Sequence, residues 1–275
     1  MTRGCLWTRS GARLQLRVSR PGSAYNWVFL PGGPGLGSES LLPLTALLRL
    51  PGRLWHLDLP NDGSNVIDGP DEPFSRWPQA LVEAVSALDA VILVAHSTGG
   101  MYALATPELE PFLAGLVLMD SAPDASWQQD FRRHSERHAV HGIQELQERY
   151  SAHPDARTLR EMSMASAACL SVPGGFVKDQ YAFLNDLPYN ANSHGWSGQH
   201  FDSTYEARWC PQHIPVLILG GRQDYVTPLR LFEQASRFQR RNVTLRAIDD
   251  AGHFPWVENP TAVAAAFDDY FRELP

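Results

Sequence analysis

Cysteine is scarce in this chain, and runs of one charge are absent. The three cysteines among 275 residues, Cys5, Cys169 and Cys210, are odd in number, far apart and in no Cys-x-x-Cys arrangement. This spacing argues against a disulfide framework and against cysteine-built zinc, so no metal is expected. Lys and Arg number 23 against 30 Asp and Glu, a net charge of −7, and no basic cluster stands out; nucleic acid is not an expected partner. Also missing are an apolar run long enough to span a bilayer and, after Met1-Thr2-Arg3-Gly4-Cys5-Leu6-Trp7, the apolar stretch of a secretory leader. A cytoplasmic protein with no membrane span is the expectation. With 44% hydrophobic and 19% charged residues, the chain is neither disordered nor fibrous. Its length suits one large domain with room for an insertion, and nothing in it speaks to oligomeric state.

What is present has a rhythm. Cys5 to Thr8 and Leu14 to Val18 alternate around Ser10-Gly11, as a hairpin does. Six short apolar runs follow: Trp27 to Leu30, Leu54 to Leu57, Val91 to Val94, Leu116 to Met119, Val216 to Leu219 and Val243 to Ile248. Runs apolar on both faces suit parallel strands covered on both sides. Helical stretches lie between them at Leu41 to Leu50, Trp77 to Leu88 (with Pro78 in its first turn), Thr98 to Ala105, Pro228 to Arg240 and Pro260 to Phe271. The pattern predicts an α/β fold with an open, mostly parallel sheet flanked by helices. Residues 123–208 break the rhythm with helical patches at Trp127 to Glu148 and Ala156 to Cys169 and a loop at Asn190 to His200. They read as a helical cap inserted into a core made of 1–122 and 209–275.

The chemistry centres on Val91-Ile92-Leu93-Val94-Ala95-His96-Ser97-Thr98-Gly99-Gly100. A strand runs into Ser97, a helix follows, and tiny residues stand two positions to either side. This is the small-x-Ser-x-Gly form of a nucleophile elbow, with Ala95 in place of the usual first glycine. A hydroxyl is a poor nucleophile until an imidazole takes its proton and a carboxylate orients the imidazole. Asp224 follows the strand Val216 to Leu219, and His253 follows the strand Val243 to Ile248. The order Ser97, Asp224, His253, each in a loop after a strand, is what assembly at one sheet edge requires.

On these residues the chain resembles an α/β-hydrolase fold protein over nearly its whole length. The matching segments are the hairpin start, Pro31-Gly32-Gly33-Pro34-Gly35, Asp58-Leu59-Pro60-Asn61-Asp62-Gly63-Ser64, the Ser97 elbow, Gly221 to Pro228, and Gly252-His253-Phe254-Pro255-Trp256-Val257-Glu258-Asn259-Pro260. The resemblance implies an oxyanion hole from the backbone N–H groups of Thr98 and of Gly33 in the first glycine loop. It also implies a small-molecule substrate and no cofactor. The glycine loop is similar to the His-Gly-Gly-Pro-Gly of the prolyl aminopeptidase branch, with Pro31 where histidine is expected. Asp58-Leu59-Pro60-Asn61 is closer to esterase-like members. Some family members place the acid after the strand that ends at Met119, which makes Asp120 an alternative to Asp224.

Other readings compete for the same residues. The glycine loop with Asp58 some 20 residues on has the outline of a dinucleotide site, but serine stands where the third glycine belongs. His134, His138 and His141 would share a helix face, where a solvated surface is the plain reading and a metal site the sharper one. His96 is expected to pack at the sheet edge with its ring turned from the hydroxyl. Trp256, Phe254, Trp127 and Trp196 are the candidates for the substrate pocket, with Tyr181 and Phe201 behind them. Cap carboxylates Glu136, Glu145, Glu148 and Glu161 could bind a substrate amine. Three functions follow from these readings: a serine hydrolase of a small ester or amide, a proline iminopeptidase-like aminopeptidase, and a non-catalytic binding protein on the same fold.

Overall fold

The structure, a computed structural model, describes residues 4–67, 72–172 and 181–275; the side chains of Ala168 and Cys169 also lie outside the description. The stretch 173–180 of the expected insertion is therefore outside it too. Among the described residues eight strands form one sheet: β1 (Cys5–Trp7), β2 (Arg13–Arg20), β3 (Asn26–Leu30), β4 (Gly52–Asp58), β5 (Val91–His96), β6 (Leu113–Met119), β7 (Val216–Gly221) and β8 (Val243–Ile248). Their order is β1-β2-β4-β3-β5-β6-β7-β8. The β1–β2 hairpin pairs antiparallel to β4, and every pairing from β4 to β8 is parallel.

The helices are α1 (Leu42–Leu47), α2 (Trp77–Ser86), α3 (Thr98–Leu104), α4 (Trp127–Arg137), α5 (Ile143–Ala152), α6 (Ala156–Leu170), α7 (Ala191–His200), α8 (Arg230–Gln234), α9 (Pro255–Glu258) and α10 (Pro260–Glu273). Alternation along the buried strands divides the core in two. Trp27, Phe29, Ile92, Val94, Val117 and Leu217 pack with Leu44, Val263, Phe267 and Tyr270 on one face. Val28, Leu30, Leu93, Ala95, Leu118 and Ile218 pack with Trp77, Leu81, Met101 and Leu104 on the other. This is why those strands read as unbroken apolar runs. Among the described residues no helix is long and apolar enough to cross a membrane.

Between β6 and β7 the chain leaves the sheet and forms α4 to α7. It enters and leaves side by side. Ala125 N–H donates to Tyr205 C=O at 2.9 Å and Ala207 N–H to Pro123 C=O at 2.8 Å. The Arg237 guanidinium donates to the carbonyls of Ala207 and Pro123 at 2.6 and 3.1 Å, tying this neck to the core.

Three expected elements differ. Asn190 to His200 is not a loop: the Asn190 side chain accepts from Asn192 and Ser193 N–H, and the helix α7 follows with Ser193 and Ser197 buried. Asparagine serves there as an N-cap, and the buried serine hydroxyls find acceptors at Asn190 and Asp202. The stretch Pro228 to Arg240 breaks at Ala235 into α8 and a 3-10 turn. Six residues apart, Phe232 and Phe238 would lie on different faces of one helix; the break brings their rings edge to face at 4.9 Å in the core. Leu41 to Leu50 is shortened likewise to α1, since Leu48 is already extended.

Candidate active site

The sharp turn at Ser97 follows from its neighbours. β5 ends at His96, Ser97 takes φ 52 and ψ −126, and α3 begins at Thr98. A non-glycine residue in this region is strained by roughly 1–3 kcal/mol. The surroundings hold it there: Ser97 N–H donates to Met119 C=O at 2.9 Å, and Ser97 C=O accepts from Gly100 N–H at 2.9 Å and the Ser121 hydroxyl at 2.8 Å. Ala95 is fully buried in the β5 register between Leu30 and Leu118. A β-carbon on Gly99 would overlap the Pro31 carbonyl oxygen. The glycine loop and the elbow thus meet backbone to backbone, and only small residues fit.

His253, in the loop after β8, reaches back to this turn. Its Nε2 lies 3.1 Å from Ser97 Oγ, and its Nδ1 lies 3.0 Å from Asp224 Oδ2. Asp224, in the loop after β7, is held by its own turn. Its Oδ1 accepts from Val226 N–H at 2.8 Å and Thr227 N–H at 3.3 Å, and Oδ2 also accepts from the Thr227 hydroxyl at 2.9 Å. Burial works against the charged carboxylate, but the attraction and hydrogen bond of His253 and the donors from Val226 and Thr227 outweigh it and hold Asp224 below the usual carboxylate range. Because the carboxylate can only accept, the neutral form of His253 carries its proton on Nδ1, and the nitrogen facing Ser97 is then the lone-pair acceptor.

Asp120 does not reach His253 by hydrogen bond. One oxygen accepts from Gly221 N–H at 2.8 Å and the other is buried with no partner among the described residues. Burial first, then the negative charge of Asp224, pushes Asp120 well above the usual carboxylate range. His96 hydrogen-bonds through Nε2 to the His253 carbonyl at 3.1 Å, with its ring edge-on to Trp256 at 4.8 Å. Burial and the neighbouring His253 lower its pKa to about 3, so it is neutral.

Ser97 opens into a cavity of about 230 Å³. Gly33 and Thr98 both line it. Thr98 N–H is the first of α3 and has no intrahelical acceptor. Gly33 takes φ 120, which a side chain would strain, and a β-carbon on neighbouring Gly32 would stand 3.2 Å from Thr98 N. The rest of the wall is mainly apolar: Leu36, Met101, Leu159, Met162, Leu170 and Phe254 among them. Of the aromatic candidates, Phe254 and Trp127 line this cavity. Trp256 is not on it but in the core against His96, and Trp196 lies outside it against Phe74. Tyr181 is core as well, packed on Phe254, and the half-buried Phe201 stacks on Tyr102. Trp127, Phe131 and Ser166 also border an open groove of about 960 Å³ along α4 and α5.

These four cap carboxylates do not line the Ser97 cavity: Glu136 and Glu145 border the outer groove, Glu148 another surface hollow, and Glu161 pairs with Arg149 and Arg157. His134 and His138 stack on each other, with Tyr225 against the first. Asp120, Asp224 and His253 offer three metal-ligand atoms within 4.8 Å. Asp224 and His253 are already hydrogen-bonded to each other.

Three polar residues escaped the sequence reading. Thr227 was detectable, since an aspartate in a turn accepts from the backbone two and three residues on, which brings the side chain at the third position beside it. Asp62 and His194 gave no such signal. Asp62 accepts from Gly35 N–H at 2.7 Å and lies 3.4 Å from the Ser193 hydroxyl of α7. Burial first, then the charge of Asp58, pushes its pKa up to about 7.

The model of the Alpha/beta hydrolase family matches residues 27–266. No match was found among curated proteins. Among solved structures, a proline iminopeptidase-related protein from Thermus thermophilus aligns over 100% of this chain and 99% of its own, at TM-score 0.72 and 20% identity. A malate-bound thermophilic esterase from Thermogutta terrifontis aligns over 100% and 99% at 0.69 and 18%. An esterase from Exiguobacterium antarcticum aligns over 99% and 100% at 0.71 and 16%. At these identities the likeness is one of fold.

Proposed function

The chain belongs to the alpha/beta hydrolase family, and from that premise we propose that it is a serine hydrolase cleaving a small, uncharged ester or amide through an acyl-enzyme. The observation that carries this is the hydrogen-bonded line from Ser97 Oγ through His253 to Asp224, opening into a small, largely apolar cavity. In the first half-reaction Ser97 Oγ attacks the substrate carbonyl carbon as His253 Nε2 takes its proton. Asp224 stabilises the imidazolium and fixes its orientation. The oxyanion of the tetrahedral intermediate is held by the N–H groups of Gly33 and Thr98, each worth on the order of 10²–10³ in rate. His253 returns the proton to the departing alcohol or amine, leaving an ester on Ser97. Water then repeats the sequence, with His253 as base, and frees the acid.

An uncharged substrate is favoured because, among the described residues, no Asp, Glu, Lys or Arg lines the cavity. An aminopeptidase needs an anion to hold the free amine. A panel of nitrophenyl esters set against proline naphthylamide tests the reading. Ester turnover that disappears in Ser97→Ala with folding intact is expected. Turnover surviving that substitution, or confined to proline naphthylamide, would overturn it.

A further inference from the structure

His194, on the insertion helix α7, lines the Ser97 cavity although nothing in the reaction above uses it. Its Nδ1 lies 3.1 Å from the Tyr150 hydroxyl, which in turn lies 3.0 Å from the Ala191 carbonyl oxygen. A carbonyl only accepts, so the single Tyr150 proton goes to Ala191. Tyr150 must then accept from His194, which places the ring proton on Nδ1. Burial lowers the pKa of His194 and pushes that of Tyr150 up to about 12, consistent with a neutral ring beside a protonated phenol. Nε2, on the other edge, is left as a lone-pair acceptor with no partner among the described residues. The start of α7 sits against the glycine loop: a β-carbon on Gly35 would stand 3.4 Å from His194 Cβ, and Asn190 N–H donates to Gly35 C=O at 2.8 Å. A ring of fixed tautomer therefore lines the same cavity as Gly33, in a wall otherwise mostly apolar.

Resting on the reading of Ser97 as nucleophile, we propose that His194 is a specificity residue whose Nε2 accepts a hydrogen bond from a hydroxyl or N–H on the substrate near the scissile carbonyl. The preferred substrates are then hydroxylated esters, or amides whose own N–H reaches the ring. A neutral hydrogen bond of this kind separates hydroxylated from plain substrates by about 3- to 10-fold in kcat/KM.

The test is a ratio of kcat/KM values. On the acyl side, 2-hydroxy- and 3-hydroxybutyrate nitrophenyl esters are compared with the butyrate; on the alcohol side, 2-hydroxyethyl butyrate is compared with propyl butyrate. The wild type should prefer one hydroxylated member. His194→Leu should bring that ratio to about 1, and His194→Gln, which restores an acceptor, should keep most of it. Fluorophosphonate labelling of Ser97 in each variant reports whether the site is assembled. Should His194→Leu not fold, Tyr150→Phe removes the group that fixes the tautomer, and the ratio should fall there too. Equal rates on all pairs in an active wild type, or a preference unchanged in both His194→Leu and Tyr150→Phe, would overturn the proposal alone. A wild type that neither labels nor hydrolyses any ester would sink it together with the Ser97 reading.

Discussion

Exchanging Asp224 for asparagine changes one atom's hydrogen-bonding sense and should stop the reaction. The carboxylate accepts Val226 and Thr227 N–H on Oδ1, and the Thr227 hydroxyl and His253 Nδ1 on Oδ2. In Asp224→Asn the oxygen must stay on the two backbone donors, because an amide NH₂ there would face N–H against N–H. The NH₂ group then replaces Oδ2. The Thr227 hydroxyl can rotate to accept from it, but His253 can accept only by moving its proton from Nδ1 to Nε2. The nitrogen 3.1 Å from Ser97 Oγ is then already protonated and cannot act as base. Loss of the correct tautomer lowers kcat by roughly 10⁴-fold, about 5.5 kcal/mol of activation free energy. The fold should survive, since each hydrogen bond keeps a partner. Stopped assays on a nitrophenyl ester, with circular dichroism to verify folding, measure this. A folded Asp224→Asn protein retaining kcat within tenfold of the parent would refute the tautomer argument.

Four further outcomes are expected. Thr227→Val removes one donor from Asp224 and should lower kcat by about 5- to 20-fold, an effect of a charge-assisted hydrogen bond; an unchanged kcat would deny Thr227 a positioning role. Gly99→Ala forces a β-carbon onto the Pro31 carbonyl and should destabilise by about 1–3 kcal/mol or more, read as a drop in urea midpoint. Trp127→Ala removes the wall shared by the cavity and the outer groove; kcat/KM should shift toward esters with longer chains, and an unchanged chain-length profile counts against that wall. Asp62 gives the pH dependence, since its folded pKa is raised to about 7, against roughly 3.9 when unfolded. As pH rises from about 4 to 7, the unfolded chain loses this proton first, so the group's contribution to stability declines across that window and is flat above it. Asp62→Asn keeps an acceptor for Gly35 N–H and has nothing to ionise. Its stability relative to the parent should therefore grow from pH 5 to pH 8, by about 2.6 kcal/mol at most; a difference that does not vary with pH would contradict the assignment.

The strands were legible because burial on both faces leaves an unbroken apolar run, and the turn at Ser97 because close backbone contact with the glycine loop excludes a side chain at 99. The order of Ser97, Asp224 and His253 was legible because each follows a strand, and parallel strands deliver their C-terminal ends to one edge. α7 was not, because asparagine, serine and glycine signal a loop unless their hydrogen-bond partners are known. His194 was hidden with it: its tautomer depends on Tyr150, 44 positions away. Trp256 and Trp196 illustrate the same limit. Sequence places an aromatic residue near a site, but only packing decides whether it faces the cavity or His96 and Phe74 behind it.

The most direct measurement is mapping of a fluorophosphonate adduct by peptide mass spectrometry on the folded protein. A single adduct on Ser97, formed quickly in the parent and lost in His253→Ala and after unfolding, is the expected result. No adduct, or one on another serine with Ser97 unmodified, would contradict the assignment of Ser97 as the nucleophile.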